Sequence, residues 1–116
     1  MKINRKEIWL MFDKRCAYCG CELKDESGKY MQVDHVKAVR RNEGKFTRPE
    51  NDDMKYPACI KCNKYKDVMN IDVFREQIKL SGERLKVHAA YNNAVRFGMI
   101  EFKEWDGLFY FEKFNT

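Results

Sequence analysis

Four of the five cysteines in this chain fall in two pairs, Cys16-x-x-Cys19 and Cys59-x-x-Cys62. Two thiolates two residues apart on a tight turn can reach one ion, and zinc takes four such ligands in a tetrahedron. The spacing therefore points to a structural zinc ion that staples two distant turns. The competing readings are buried free thiols, or a redox CxxC pair without its usual βαβ setting. The two pairs are separated by 39 residues, more than a simple zinc ribbon contains, so something sizeable lies between the knuckles. Cys21 is left over and reads as a spare thiol.

What the pairs enclose also has chemistry. Asp34-His35 lies inside, Asn51 follows, Asn63 comes directly after Cys62, and Lys66 lies three residues further on. Phosphodiester hydrolysis needs a base near the phosphorus to deprotonate water, and an imidazole with a near-neutral pKa suits that task. It also needs positive charge against the phosphate, which a hard divalent ion on oxygen ligands supplies. Asp34 offers a carboxylate and Asn63 a carbonyl oxygen. Neighbouring residues on a strand point to opposite faces, so Asp34 and His35 should diverge. Cys62 ties Asn63 to the staple.

The ordered set resembles the HNH nucleases, in the subgroup whose ββα-metal motif is held by a four-cysteine zinc site. The resemblance covers about residues 12–68. It implies that His35 is the general base and that Asn51 braces the loop and helps orient it. It implies that Asp34 and Asn63 hold a catalytic divalent ion, Mg²⁺ or another. It also implies that the substrate is DNA and the products 5′-phosphate and 3′-hydroxyl ends. The chain departs from the pattern where many members carry a proline and two glycines, having Lys37-Ala38-Val39 and Arg40-Arg41-Asn42 there. Asp52 also replaces an apolar residue after Asn51. Small stand-alone members occur in mobile elements, phages, and defence or packaging systems. A monomer would nick, and two-strand cleavage would need a homodimer or two events.

The charge agrees with a polyanionic partner. The chain carries +5 overall, made of +6 over residues 1–66 and −1 over residues 67–116. Lys37, Arg40, Arg41, Lys45 and Arg48 crowd one segment and, with Lys64 and Lys66, would hold backbone phosphates. No apolar run approaches the ~18 residues of a membrane span. The N-terminus lacks the long apolar stretch of a signal peptide. The expectation is a cytoplasmic, reducing compartment, where cysteines bind metal rather than pair as disulfides. Two other function classes remain: a non-catalytic zinc-stapled module that binds nucleic acid, and a docking domain that uses the aromatic C-terminal half.

These residues need elements to position them. The 116 residues suit one α+β domain, with an HNH core at about 12–68 and a helical and hairpin extension at about 69–116. Asn4-x-x-Glu7 reads as a capping box opening a helix over about 5–14, with Ile8, Met11 and Phe12 inward. Residues 30–36 alternate as a strand, 37–53 read as a long loop, and a short strand is expected near 54–56. Helices are expected over about 60–69, over 71–80 ending at Ser81-Gly82, and over 83–97 ending at Gly98. His88 would then be a partly buried helix residue. Asp106-Gly107 between two apolar runs predicts a β-hairpin of 99–105 and 108–114, its aromatics serving as core.

Overall fold

The structure, a computed structural model, describes residues 4–36, 40–42, 45–47 and 54–114, the two middle stretches as backbone only. It is a small α+β protein. In chain order the elements are α1 (Arg5–Met11), β1 (Gln32–His35), β2 (Arg40–Asn42), β3 (Lys45–Thr47), β4 (Lys55–Ala58), α2 (Ile60–Lys66), α3 (Ile71–Leu85), α4 (Ala89–Arg96) and α5 (Tyr110–Lys113). β1 pairs antiparallel with β4, and β2 with β3, as two separate two-stranded sheets. Among the described residues, no helix is long and apolar enough to cross a membrane.

α1 begins where the capping signal places it, with the Glu7 amide donating to Asn4 Oδ1 at 3.1 Å. It stops at Met11, short of the expected residue 14, because Asp13 and Lys14 take positive φ of 56° and 64° and turn the chain. The turn lets the Leu23 amide donate to the Lys14 carbonyl (2.9 Å) and the Trp9 indole N–H to the Leu23 carbonyl (2.9 Å). Ile8 and Phe12 are buried as expected, but Met11 is 43% exposed.

One cluster of buried residues runs through the fold: Ile8, Cys16, Tyr18, Leu23, Met31, Ala58, Phe74 and Phe109. It joins the knuckle region to α3 and to the C-terminal segment. At its centre the Tyr18 ring meets Phe74 at 5.3 Å and Phe109 at 5.4 Å, both edge-on, while Phe74 and Phe109 stack at 5.0 Å. Such aromatic pairs add about 0.5–1.5 kcal/mol each beyond the area they bury.

Three expected elements differ. The segment read as one long loop contains the β2–β3 hairpin, with Arg41 opposite Phe46. Its strands are too short and polar for the alternation pattern to register. α3 does not stop at Ser81-Gly82 but continues to Leu85. Gly82 is there for closeness: a Cβ would lie 3.1 Å from the Phe102 ring. His88 consequently falls outside a helix, exposed at the N-cap of α4.

The expected C-terminal hairpin is absent. Residues 99–109 have no regular structure, and Tyr110–Lys113 is a short helix. The turn itself forms, with Gly107 at φ 83° and the Leu108 amide on Asp106 Oδ1 at 3.0 Å. The flanking backbone finds other partners. The Tyr110 and Phe111 amides donate to the carbonyls of Tyr18 (3.0 Å) and Ala17 (2.7 Å). Glu112 accepts from the Phe109 amide at 2.9 Å and pairs with Arg75, whose Nη1 also donates to the Gly107 carbonyl. The tail thus packs on the first knuckle instead of on itself.

The Arg75 guanidinium holds the Glu112 carboxyl below its ordinary range, helped by the Phe109 amide. A carboxyl lowered in the folded state stabilises above its unfolded value and loses that contribution as pH falls through the folded value. Glu112→Gln should therefore cost roughly 0.5–1 kcal/mol at pH 7 by urea unfolding, with the gap to the parent protein closing in acid. A gap that stays constant down to pH 2.5, a value well below ordinary carboxyl titration, would show that the ion pair contributes nothing.

Candidate metal centre and adjoining site

The two cysteine turns meet. The Sγ atoms of Cys16, Cys19, Cys59 and Cys62 all lie within 4.8 Å of one another, and Cys19 and Cys59 are 3.9 Å apart. Four thiolates at ~2.3 Å from one zinc ion would be about 3.8 Å apart along each tetrahedral edge, so the donor set fits. The cluster can hold a structural metal ion, and its all-sulfur chemistry suits zinc.

Local structure explains the meeting. In the first turn the Cys16 amide donates to the Cys21 carbonyl (2.9 Å) and the Gly20 amide to the Cys16 carbonyl (3.0 Å). Gly20 has φ 79° and lies under the Tyr110 ring, where a Cβ would come to 3.0 Å. The Ala17 amide donates to the Pro57 carbonyl (2.9 Å), fastening this turn to β4. In the second turn Cys59 caps α2, its Sγ accepting from the Cys62 amide at 3.3 Å. Hydrogen bonds from the Cys16 and Cys62 sulfurs pull the Cys19 thiol below its ordinary range. Cys21 stands beside Cys19, outside the four-sulfur group, with its thiol pushed up by burial and by the Cys19 sulfur.

The staple sets α2 against β1. β1 pairs with β4 in the register Asp34 opposite Tyr56 and His35 opposite Lys55. α2 follows β4 at once and packs on β1. Asn63 lies mid-helix and half-buried, one turn before Lys66 on the same face. Lys66 ends α2 against the last residues of β1, its Nζ 3.4 Å from the His35 carbonyl. The expected divergence along β1 is present in burial: Asp34 is 4% exposed, while His35 is half-buried.

Asp34 is sealed in. Lys66 Nζ lies 3.1 Å from its Oδ2 and 3.3 Å from its Oδ1, and the Tyr18 hydroxyl donates to Oδ2. Burial pushes the Asp34 carboxyl up, against the opposing pull of the Tyr18 hydroxyl and the Lys66 ammonium. Burial and the nearby Asp34 charge raise the Tyr18 phenol, which keeps it a donor. Lys66 is itself 1% exposed, so its expected place on a phosphate-facing surface is corrected: its ammonium is spent inside the fold. The missed signal is Tyr18, between the first two cysteines, whose hydroxyl reaches the carboxylate.

The remaining expected residues divide simply. Lys64 is exposed on α2. Arg40, Arg41 and Lys45 lie on the backbone of the β2–β3 hairpin. Lys37, Arg48 and Asn51 lie outside the described residues. His88, exposed at a helix start, joins neither group.

No family model, no curated protein and no solved structure matches this chain.

Cys59→Ser should lower bound zinc from one ion per chain toward zero. It should also destabilise the fold by several kcal/mol, since the binding energy of a structural ion is folding energy. Cys21→Ser should leave the metal content unchanged. Elemental analysis with thermal melting checks both, and a Cys59→Ser protein that keeps its zinc and its melting temperature would contradict the four-sulfur site.

Proposed function

We propose that this protein is an endonuclease of the HNH type that hydrolyses DNA phosphodiester bonds. The observation that supports it best is the succession β1–β4–α2. It carries Asp34-His35 at the end of one strand and Asn63 in the helix packed against it, with the two cysteine turns joined behind them. An antiparallel pair followed directly by a helix is the arrangement a ββα nuclease core requires.

In this reading His35 takes the proton from the attacking water, and attack in line with the leaving 3′ oxygen yields 5′-phosphate and 3′-hydroxyl ends. Asn51 orients the base. Lys64 and the basic segment holding Lys37, Arg40, Arg41, Lys45 and Arg48 take the backbone phosphates, giving affinity with little sequence preference. The zinc staple acts only by fixing α2, and through it Asn63, beside β1. A lone chain would nick, and a homodimer would cut both strands.

A divalent ion such as Mg²⁺ on Asp34 and Asn63 belongs to the proposal, yet the residues as arranged do not fit it. Both Asp34 oxygens already have partners, and among the described residues the four cysteines are the only clustered group of three or more histidine, cysteine or acidic side chains placed to hold an ion. That observation favours a second reading, a zinc-stapled module that binds nucleic acid without cutting it.

Nicking of supercoiled plasmid by the zinc-loaded protein separates the two. The nuclease reading expects relaxed circles with Mg²⁺, none with EDTA, and at least a hundredfold loss in His35→Ala with DNA binding retained. Binding without nicking in any divalent metal would favour the module.

A further inference from the structure

The buried contacts around Asp34 end on the backbone of His35. Lys66 Nζ lies 3.1 Å from Asp34 Oδ2, 3.3 Å from Asp34 Oδ1 and 3.4 Å from the His35 carbonyl. An ammonium has three protons, and these three oxygens can take all of them. The Tyr18 hydroxyl donates to the same carboxylate, and its ring is held edge-on against Phe74 and Phe109. Tyr18, Asp34 and Lys66 are all buried. His35 is the last residue of β1, so its carbonyl belongs to the peptide unit that leads out of the strand. Neighbouring residues on a strand point to opposite faces. With Asp34 held inward, the His35 side chain is turned to the other face, where it is half-buried.

We propose that Tyr18 and Lys66 are positioning residues for His35. The path runs from the Tyr18 hydroxyl to the Asp34 carboxylate, on to the Lys66 ammonium and so to the His35 carbonyl. It sets the direction in which the imidazole leaves β1. The inference rests on the nuclease reading in taking His35 as the base, and it gives Asp34 a role of its own as the anchor of the strand end that carries its neighbour. A strand end held by ladder bonds alone opens readily. A misplacement of about 1 Å near a reacting group can cost about a hundredfold in rate. A buried ion pair makes a firm clamp, because neither member can leave without stranding the other's charge.

The chain has two histidines, and His88, exposed at the start of α4, serves as an internal control. The test uses the zinc-loaded full chain, with no nucleic acid and no other divalent ion added, and reads the imidazole signals by proton–carbon NMR. Tyr18→Phe removes one hydroxyl and should move the His35 signals, or split them into more than one set, while His88 stays in place. Lys66→Met should do the same more strongly. In the double variant Tyr18→Phe should add nothing further, since both changes act along one path. His35 signals that keep their parent positions in Tyr18→Phe would overturn the proposal. So would a His88 that moves as much as His35, the mark of a general loosening, or a Tyr18→Phe effect that persists in full without Lys66. Lys66→Met leaves a buried carboxylate without its cation, and if that variant fails to fold, Tyr18→Phe alone decides. Where plasmid is nicked, Tyr18→Phe should slow nicking at saturating DNA about tenfold with DNA affinity unchanged, and an unchanged rate would also overturn the proposal. A plasmid that is never nicked counts against the nuclease reading alone, because the His35 signals report on positioning without any cleavage.

Discussion

The fold depends on one constraint: four sulfur atoms, from turns separated by 39 residues of sequence, come together within 4.8 Å. Each turn is already shaped for the purpose. Gly20 closes the first by taking a positive φ, and Cys59 closes the second by capping α2 with its own sulfur. Both turns also feed the buried core, Cys16, Tyr18 and Ala58 within it and Cys59 and Cys62 packed against it. A metal ion on the four sulfurs would tie the two turns together, and a chain this short commonly needs such a staple because its core is small. Once the turns are joined, α2 has no freedom to leave β1.

The C-terminal half reinforces the same place from the other side. The stacked Phe74 and Phe109 rings both meet Tyr18 edge-on, and the Tyr110 and Phe111 amides occupy the carbonyls of Tyr18 and Ala17. These contacts hold the Tyr18 ring and backbone, and its hydroxyl donates to Asp34. The network Tyr18–Asp34–Lys66 thus links the first knuckle, β1 and the end of α2 through polar contacts in a buried setting. Buried polar groups of this kind are costly unless every member finds a partner. Here each partner comes from a different element, so the network records the assembly of all three.

How much of this was legible in the sequence varied with the range of the forces involved. The cysteine pairs were legible because metal ligation constrains residue type and spacing, and they appear where the pattern placed them. The start of α1 and the Gly98 stop after α4 are legible because capping is local chemistry, and the start of α3 because Ile71, Phe74 and Ile78 keep helical spacing. The hairpin around Asp106-Gly107 was misjudged for the converse reason. The turn is local and forms, but strand pairing is not, and the knuckle carbonyls with Arg75 outcompeted it for the flanking groups. Ser81-Gly82 reads as a stop, yet Gly82 is a point of close approach to Phe102, a contact invisible before folding. The charge of Lys66 suggests a phosphate contact, and nothing in the spacing tells that Asp34 is buried within reach of it. Of the proposed site, the sequence order of Asp34, His35 and Asn63 was readable, and the closure of Asp34 was not.

The central claim is that the metal staple, acting through α2, holds β1 in place. Amide hydrogen exchange before and after removing the metal with a chelator tests it most directly. The account predicts that β1, β4 and α2 lose protection together when the metal leaves, while exposed segments such as α4 change little. If β1 and β4 kept their protection after the ion was gone, the strands would stand without the staple, and the claim would be wrong.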